Sequence, residues 1–275
     1  MSDRYVRAVG GSRALVGTML REWREDRRRS QLQLAVDVGV STRHLSYVET
    51  GKSKPSPELV LALADHLAVP LRERNALLLA AGYAPRFNET PLDSDAMRSV
   101  RRALGALIDA HDPYPAVVVD RHWNLVMANA GAGRLVAGVA PWLAGPPLNV
   151  YRATLHPEGL APAIENLDQW ADHLLATLHR QVAATRDDVL RRLLDEVSTY
   201  PGIAEFGTSW RTPSATPQVV VPLLLRVGDE LSSWFSTTTS IGTPVDITLD
   251  ELHLELFHPA DDATAARARH ADQAG

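Results

Sequence analysis

The sequence predicts two domains: an all-α N-terminal domain of five helices, and a C-terminal α+β domain in which helices pack on an antiparallel sheet. In residues 13–86, apolar residues recur at three- and four-residue steps, the spacing of amphipathic helices. Residues 83–95 mix proline with polar residues and therefore predict a boundary. Beyond residue 96, short apolar runs bounded by turn residues are typical of strands and stand beside longer helical segments.

These changes of pattern divide the chain into five parts. We expect a flexible N-terminus over residues 1–12, the helical domain over 13–86, a linker over 87–95, the α+β domain over 96–260 and a disordered tail over 261–275. The tail is predicted to be disordered because it has little apolar bulk.

Length and composition exclude several classes of protein. The 275 residues are 45% hydrophobic and 22% charged, which is ordinary for a chain with about two folded domains. With no cysteine, the chain has no disulfide framework, thiolate metal site or cysteine nucleophile, and it suits a reducing cytoplasm. Neither a signal peptide nor a run of about 18 apolar residues is visible, so we expect a cytoplasmic protein with no membrane partner.

The stretch Ser30–Gly51 predicts two short helices joined by a tight turn. Ser30 can cap the first helix and Ser41 the second, and Gly39 stands between them, where a left-handed turn residue costs least. Two such helices can pack at a steep angle, which leaves the outer face of the second free for the major groove of DNA. The alternative is a small helical bundle in which the same polar residues only form a solvated face.

The outer face of the second helix supplies side chains suited to DNA. Arg43 can donate both guanidinium arms to a guanine, and the other outward residues nearby can also reach bases. The base-contacting candidates are Thr42, Arg43, Ser46 and Tyr47. Gln31, at the start of the first helix, and Lys52 and Lys54, beyond the second, suit phosphate oxygens.

Charge is segregated along the chain. The net charge is −5, but residues 13–86 carry twelve Arg and Lys against eight Asp and Glu, so this segment is +4 and residues 87–275 are −10. A mildly basic domain joined to an acidic one binds DNA weakly as a single copy. We therefore expect a homodimer on an inverted repeat of double-stranded DNA.

The N-terminal domain closely resembles a known family. The pattern reads LREWREDRRRSQLQLAVDVGVSTRHLSYVETGKSKPSPELVLALADHL. It resembles the XRE, or Cro/phage-repressor, family of helix-turn-helix domains over about five helices. The resemblance implies an internal ion pair between Arg24 and Glu49. It also implies a DNA-facing set that adds a phosphate contact by Ser41 to the residues already named. Tyr47 is bulky for a base-contact position, which favours packing on sugar or a thymine methyl group.

The second domain predicts a hairpin, a helical middle and three closing strands. The apolar runs AVVVD and WNLVMAN flank a polar turn and predict the hairpin. The expected longer elements are a helix over 97–110, helices over 161–184 and 187–199, and strands over 218–227, 230–239 and 249–257. This order is that of a PAS-like domain. Over about residues 98–260 the sequence resembles the MmyB-like ligand-binding domain found C-terminal to XRE domains in bacterial transcription regulators.

Candidate catalytic motifs in this domain are weak. Gly131-Ala132-Gly133 begins a dinucleotide-type GxGxxG, but Val136 occupies the third glycine position and no βαβ unit follows. The ten histidines form no HExxH, and no serine lies in GxSxG. We therefore predict neither an enzyme, a metal site nor a cofactor.

Aromatic residues instead predict a small-molecule pocket between sheet and helices. Aromatic cavities with a few polar groups are the usual form of such sites, although each aromatic residue taken alone is more simply a core residue. The candidate ligand-binding residues are Trp123, Asn129, Asn149, Arg152, His156, Asn166, Trp170 and Trp234. The family resemblance implies an apolar, fatty-acid-like ligand.

Together these features predict a one-component bacterial transcription regulator in which an apolar effector changes DNA affinity. Two alternatives stay open: a C-terminal domain that serves only for dimerisation or protein interaction, with a filled core, and an enzyme fused to a DNA-binding domain. The ligand, the operator and the sign of regulation do not follow from the sequence.

Overall fold

The computed structural model describes residues 12–206 and 220–273, and it divides into two units. Unit 1 contains residues up to Thr90 together with Thr243–Asp250, and unit 2 contains Pro91–Gly242 and the residues from Glu251 onward. The expected flexible segment 1–12 lies outside the described residues except for Ser12, which opens the first helix.

Unit 1 holds the five predicted helices: α1 (Ser12–Asp26), α2 (Gln31–Asp37), α3 (Thr42–Glu49), α4 (Pro57–His66) and α5 (Leu71–Ala80). Serine caps start three of them, because the hydroxyl oxygens of Ser30, Ser41 and Ser56 accept the backbone N–H three residues on. Gly39 turns between α2 and α3 at φ 71°. The predicted capping and turn chemistry is confirmed.

The core of unit 1 fixes the orientation of α3. Leu45 and Val48 of α3 are buried in one cluster with α1 and α5 residues such as Met19 and Leu77. Gly17 of α1 lets the helices approach closely: a Cβ atom there would lie 2.3 Å from the carbonyl oxygen of Val48. The position of α3 therefore depends on backbone contact with α1.

Unit 2 begins with α6 (Arg98–Asp109) and the hairpin β1 (Ala116–Val119) and β2 (Leu125–Ala128). The helical middle contains α7 (Ala130–Leu135), α8 (Pro141–Ala144), α9 (Val150–Leu155), α10 (Leu167–Thr185) and α11 (Asp188–Val197). The closing elements are β3 (Leu223–Val227), β4 (Glu230–Ser240), β5 (His253–Pro259) and α13 (Asp262–Gln273), while α12 (Ile247–Asp250) lies in unit 1.

The five strands form one antiparallel sheet in the order β2-β1-β5-β4-β3. All four residues of β1 are buried because α6 packs against this strand and a separate cluster from α9, α10 and α11 covers Val117 and Val119. A second cluster joins Trp170 of α10 to Trp234 of β4. The predicted α+β architecture, with helices on an antiparallel sheet, is confirmed.

Three predicted boundaries are wrong. The long central helix begins at Leu167, since residues 161–163 form only a 3-10 turn. The last strand begins at His253 rather than Leu249, because Asp246 accepts the N–H of Thr248 and starts the short helix α12. Of the predicted strand 218–227, residues 218 and 219 lie outside the described part, and β3 begins at Leu223.

The expected disordered tail is a helix instead. Residues 262–273 form α13, and Asp261 caps it by accepting the N–H of Thr264 at 2.6 Å. The segment is rich in alanine, the best helix former, and it buries Thr264 and Ala268. Low apolar content therefore wrongly predicted disorder, because the Asp261 cap and the burial of Thr264 and Ala268 stabilise this helix.

Candidate DNA interface and candidate ligand site

A buried ion pair locks the helix-turn-helix from inside. Arg24 donates from Nε to Oε1 of Glu49 at 2.7 Å and from Nη2 to Oε2 at 2.9 Å, as the resemblance predicts. The Glu49 side chain is only 1% exposed. The hydrogen bonds to Glu49 and the negative charge of its carboxylate raise the pKa of the Arg24 guanidinium above its ordinary value. This pair ties α1 to the end of α3.

Gln31 belongs to the same network, which refines its predicted role. Its Nε2 donates to Oε2 of Glu49 at 2.8 Å, so the amide bridges α2 to α3. The side chain is half-buried. The ion pair therefore orients the side chain of Gln31, which is the first residue of α2.

The outer face of α3 carries the predicted base-contacting residues. Arg43 is exposed, whereas Thr42, Ser46 and Tyr47 are half-buried and Leu45 and Val48 point into the core. Nε of Arg43 donates to the hydroxyl of Tyr47 at 3.0 Å, and its guanidinium lies 5.3 Å from the Tyr47 ring centroid. Tyr47 thus holds Arg43 on the surface of the helix.

Three of the predicted phosphate-contacting residues lie just before and just after α3 in the chain. Ser41 caps α3 and is exposed. Gly51 turns the chain after the helix at φ 73°. Lys52 and Lys54 then follow, both exposed, with their ammonium groups 5.6 Å from the Tyr47 ring and 4.4 Å from the Tyr83 ring. Lys52 therefore borders the face that carries Arg43, whereas Lys54 lies against Tyr83.

In unit 2, the three asparagines proposed for the pocket instead hold the fold together. Asn129 accepts the N–H groups of Ala116 and Ala132 and donates to two carbonyl oxygens. Asn149 caps α9 and donates to the carbonyl of His122. Asn166 fastens β3 through the N–H of Leu224 and the carbonyl of Pro222. These amides are occupied by backbone partners, which the sequence pattern did not reveal.

Arg152 and His156 form a second polar cluster near the surface. Arg152 binds Glu196 through Nε and Nη2, each at 2.7 Å, and this pairing lowers the pKa of Glu196 despite partial burial. His156 packs between the rings of Trp142 and Tyr200 at centroid distances of 5.0 and 4.9 Å. Because the Glu196 carboxylate already binds the Arg152 guanidinium, we interpret this cluster as one that stabilises the fold.

The tryptophans are better pocket candidates. Trp123 is buried, adopts a strained φ of 65° and packs edge-on against Tyr151 at 5.0 Å. Its Nε1 donates to Gln181. Trp170 and Trp234 are 3% and 5% exposed, and their indole N–H groups have no hydrogen-bond partner among the described residues. Such donors are the groups that a polar atom of a ligand or a water would satisfy.

Sequence reasoning missed Glu255. In the sequence, Glu255 alternates with Leu254 and Leu256, a pattern typical of a strand with one solvated face, yet Glu255 is buried. Burial raises the pKa of its carboxyl, and a hydrogen bond with Ser236 only partly opposes this. Glu255 pairs across the sheet with Val117, on the face that the helices cover. A charged residue flanked by apolar ones in a predicted strand was the available signal.

The described residues contain no group of three or more His, Cys, Asp and Glu side chains placed to hold a metal ion. Within the same ranges, no helix combines the length and apolar character needed to cross a bilayer.

Comparison with known proteins assigns a family to each of the two parts of the chain. Residues 15–77 match the helix-turn-helix domain family, and residues 100–271 match the MmyB-like transcription regulator ligand binding domain. The chain is 28% identical over 234 residues to proteins of Mycobacterium bovis and two strains of Mycobacterium tuberculosis, each named an uncharacterized HTH-type transcriptional regulator. The match covers 80% of this chain and 86% of each relative. The chain therefore belongs to the family of DNA-binding transcription regulators that join a helix-turn-helix domain to an MmyB-like ligand-binding domain.

Proposed function

We propose that α3 enters the major groove of an operator and that Arg43 reads a base there. The observation that carries this is the division of α3 into two faces. One face is fixed by buried Leu45, Val48 and Glu49, and the other presents Arg43 at the surface. Residues in the N-terminal half of a recognition helix are those that reach base edges. Thr42, Ser46 and Tyr47 share this face.

Lys52 and Lys54 are assigned to phosphates, together with Ser41 and Gln31 at the starts of α3 and α2. Both lysines are exposed, and the ammonium group of Lys52 lies 5.6 Å from the ring of Tyr47, which also contacts Arg43. Ammonium groups on flexible stems suit phosphate oxygens as point charges and carry no sequence information. These contacts set register and supply the salt-dependent part of the affinity.

We further propose that the protein binds as a homodimer in the cytoplasm. The acidic balance of residues 87–275 opposes non-specific DNA binding, so two helix-turn-helix units on one operator compensate. An inverted repeat with half-sites about 34 Å apart, one turn of the duplex, places both recognition helices on one side of the DNA.

We propose that unit 2 binds an apolar small molecule that changes DNA affinity, and that it binds this molecule without catalysis. The support is a set of buried tryptophans, Trp123, Trp170 and Trp234, together with a few buried polar groups. These groups are the indole N–H donors of Trp170 and Trp234, which have no partner among the described residues, and the carboxyl of Glu255. A mostly apolar ligand with one or two polar atoms matches such a lining. For regulation, it must bind two states of the protein with different affinity.

The alternative is a C-terminal unit that only mediates dimerisation. Titration with a series of long-chain fatty acids, followed by tryptophan emission, separates the two. We expect a saturable spectral shift that Trp123→Phe reduces. A domain with a filled core gives no shift at any concentration below micelle formation.

The regulator proposal is tested by gel shift with the protein's own promoter region under a salt titration. Specific binding to an inverted repeat, with affinity falling steeply as salt rises, is the expected result. Binding of equal strength to unrelated DNA of the same length contradicts operator recognition.

A further inference from the structure

Arg43 on the outer face of α3 is held by a neutral partner. Its Nε donates to the hydroxyl oxygen of Tyr47 at 3.0 Å, whereas Arg21 and Arg24 of α1 pair with carboxylates. A carboxylate would cancel the charge of the guanidinium and compete with DNA for its N–H groups. A phenol hydroxyl orients the guanidinium and leaves its charge intact. Arg43 is therefore held in place without being neutralised.

The spacing of the two residues on α3 explains this contact. Residues four apart on a helix lie on one face, one turn apart, and their side chains point back toward the N-terminus. The side chain of Tyr47 therefore reaches over the preceding turn, which carries Arg43. The guanidinium carbon lies 5.3 Å from the ring centroid, within the range of about 6 Å over which a cation and a ring attract. Both the hydroxyl and the ring of Tyr47 thus contact Arg43.

Tyr47 is itself anchored within unit 1. Its neighbours Leu45 and Val48 are buried in the core. The carbonyl oxygen of Tyr47 accepts the N–H of Ser53 at 3.0 Å, which ties the segment after α3 to this residue. The ammonium group of Lys52, in the same segment, lies 5.6 Å from the Tyr47 ring. Tyr47 is therefore attached both to the core and to the chain that follows the helix.

The bond to Tyr47 determines which N–H groups Arg43 has left for DNA. A guanidinium carries one N–H on Nε and two on each of Nη1 and Nη2. Because Nε is bound to Tyr47, the terminal pair Nη1 and Nη2 is the pair that can meet a base. In the major groove, guanine presents two acceptors, N7 and O6, whereas adenine presents one acceptor beside a donor and thymine a single acceptor. Two terminal nitrogens facing outward therefore match guanine.

We propose that Tyr47 is a positioning residue for base reading: its hydroxyl and ring hold the Arg43 guanidinium with Nη1 and Nη2 outward, and this arrangement selects guanine. The inference rests on the proposed function, in which α3 enters the major groove. It gives Tyr47 a role through Arg43, in place of a contact of its own with a base, a sugar or a thymine methyl group. Holding the side chain before binding reduces the conformational entropy lost on binding, which favours affinity and discrimination at that base pair.

The test is a double-mutant cycle on DNA affinity with the full-length protein. The operator is obtained by site selection with the wild-type protein, and the base pair read by Arg43 is the one at which Arg43→Ala loses preference. A matched duplex carries A·T in place of G·C at that pair in one half-site. Wild type, Arg43→Ala, Tyr47→Phe and the double variant are titrated on both duplexes by fluorescence anisotropy. Tyr47→Phe removes only the hydroxyl and keeps the ring, so the fold is retained.

We expect Tyr47→Phe to lower the preference for the guanine duplex by roughly threefold to tenfold, the value of about one hydrogen bond, with the salt dependence unchanged. In Arg43→Ala protein, which lacks the group that Tyr47 holds, the same change should have no further effect. The matched control is Tyr83→Phe, since the Tyr83 hydroxyl donates to the carbonyl of Pro55 at 2.9 Å and its ring lies beside Lys54. This control should leave the preference for guanine unchanged.

A measurement on the free protein tests the positioning without DNA. The Nε–H of Arg43 should exchange with water more slowly in the wild-type protein than in Tyr47→Phe, because the Tyr47 hydroxyl accepts this proton. Exchange is followed by NMR, and Tyr83→Phe serves again as the control. Equal exchange rates in wild type and Tyr47→Phe overturn the proposal.

Three DNA results also overturn it: a guanine preference that survives Tyr47→Phe, a loss caused by Tyr47→Phe that persists in Arg43→Ala protein, and a preferred base other than guanine at the pair read by Arg43. The second result would make Tyr47 a DNA contact in its own right. Failure of the proposed function gives a different pattern, because the wild-type protein then shows no base preference at any position and Arg43→Ala changes none.

Discussion

Removing Arg24 should destabilise unit 1 severely, because the change leaves a buried carboxylate with too few donors. In the native protein Glu49 accepts two bonds from Arg24 and one from Gln31, and its side chain is 1% exposed. Arg24→Ala removes two of these three donors and the only guanidinium bound to Glu49 among the described residues. Breaking a buried pair in this way costs about 3–5 kcal/mol.

That cost is a large part of the stability of an ordinary domain, which is about 5–15 kcal/mol. At 1.4 kcal/mol for each factor of ten, it should accelerate exchange of the slowest amides of α1 and α3 by roughly two to three and a half orders of magnitude. Native-state hydrogen exchange measures this directly, and peptides from unit 2 serve as an internal reference.

Two variants decide whether the orphaned charge is the cause. Arg24→Met combined with Glu49→Met removes both charges and should recover most of the lost stability, because a well-packed apolar pair can replace a buried ion pair. Arg21→Ala breaks an exposed pair with Glu25 on the same helix and should change nothing measurable. The reasoning is refuted if Arg24→Ala costs less than about 1 kcal/mol, or if the double variant is as unstable as the single one.

Three further changes test other parts of the account. Lys52→Ala should weaken binding to all DNA sequences alike and lower the slope of log affinity against log salt by about one, measured by fluorescence anisotropy; an unchanged slope removes Lys52 from the phosphate contacts. Gly17→Ala should destabilise unit 1 by about 1–3 kcal/mol in thermal unfolding, because its Cβ would lie 2.3 Å from the Val48 carbonyl oxygen; a stabilising effect, as helix propensity alone predicts, contradicts the close approach. Glu255→Gln should stabilise unit 2 increasingly as pH rises. Burial raises the pKa of the Glu255 carboxyl in the folded protein above its value in the unfolded chain. The wild-type contribution to stability is therefore full below the unfolded pKa and is lost as pH rises through the folded pKa, whereas glutamine stays neutral. Melting temperatures from pH 4.5 to 8 check this, and a difference between variant and wild type that does not change with pH would be inconsistent with it.

Local features of unit 1 were predictable because their chemistry is contained in short sequence spans. Serine at the N-cap of a helix, glycine at a left-handed turn and apolar residues three and four apart each determine backbone geometry within one or two turns. The Arg24–Glu49 pair spans 25 residues, and it was reached only through the family resemblance.

The interior of unit 2 was less predictable because hydrogen-bond partners there are distant in sequence. In the sequence, Asn129 and Asn166 look like polar groups available to a ligand. In the structure both are hydrogen-bonded to backbone groups that only the folded sheet brings close. The burial of Glu255 likewise depends on helices that cover its face of the sheet. The attachment of Asp250 to Leu71, separated by 179 residues, has no local signal at all.

The central claim is that Arg43 reads a base from α3, and it is tested by selecting binding sites from a randomised half-site with wild-type protein and Arg43→Ala. We predict that the variant loses preference at one position, at a cost of about 1–3 kcal/mol on the preferred site, while preferences at the other positions persist. A loss of affinity that is equal for every sequence, with all preferences retained, would make Arg43 a phosphate contact and contradict the account.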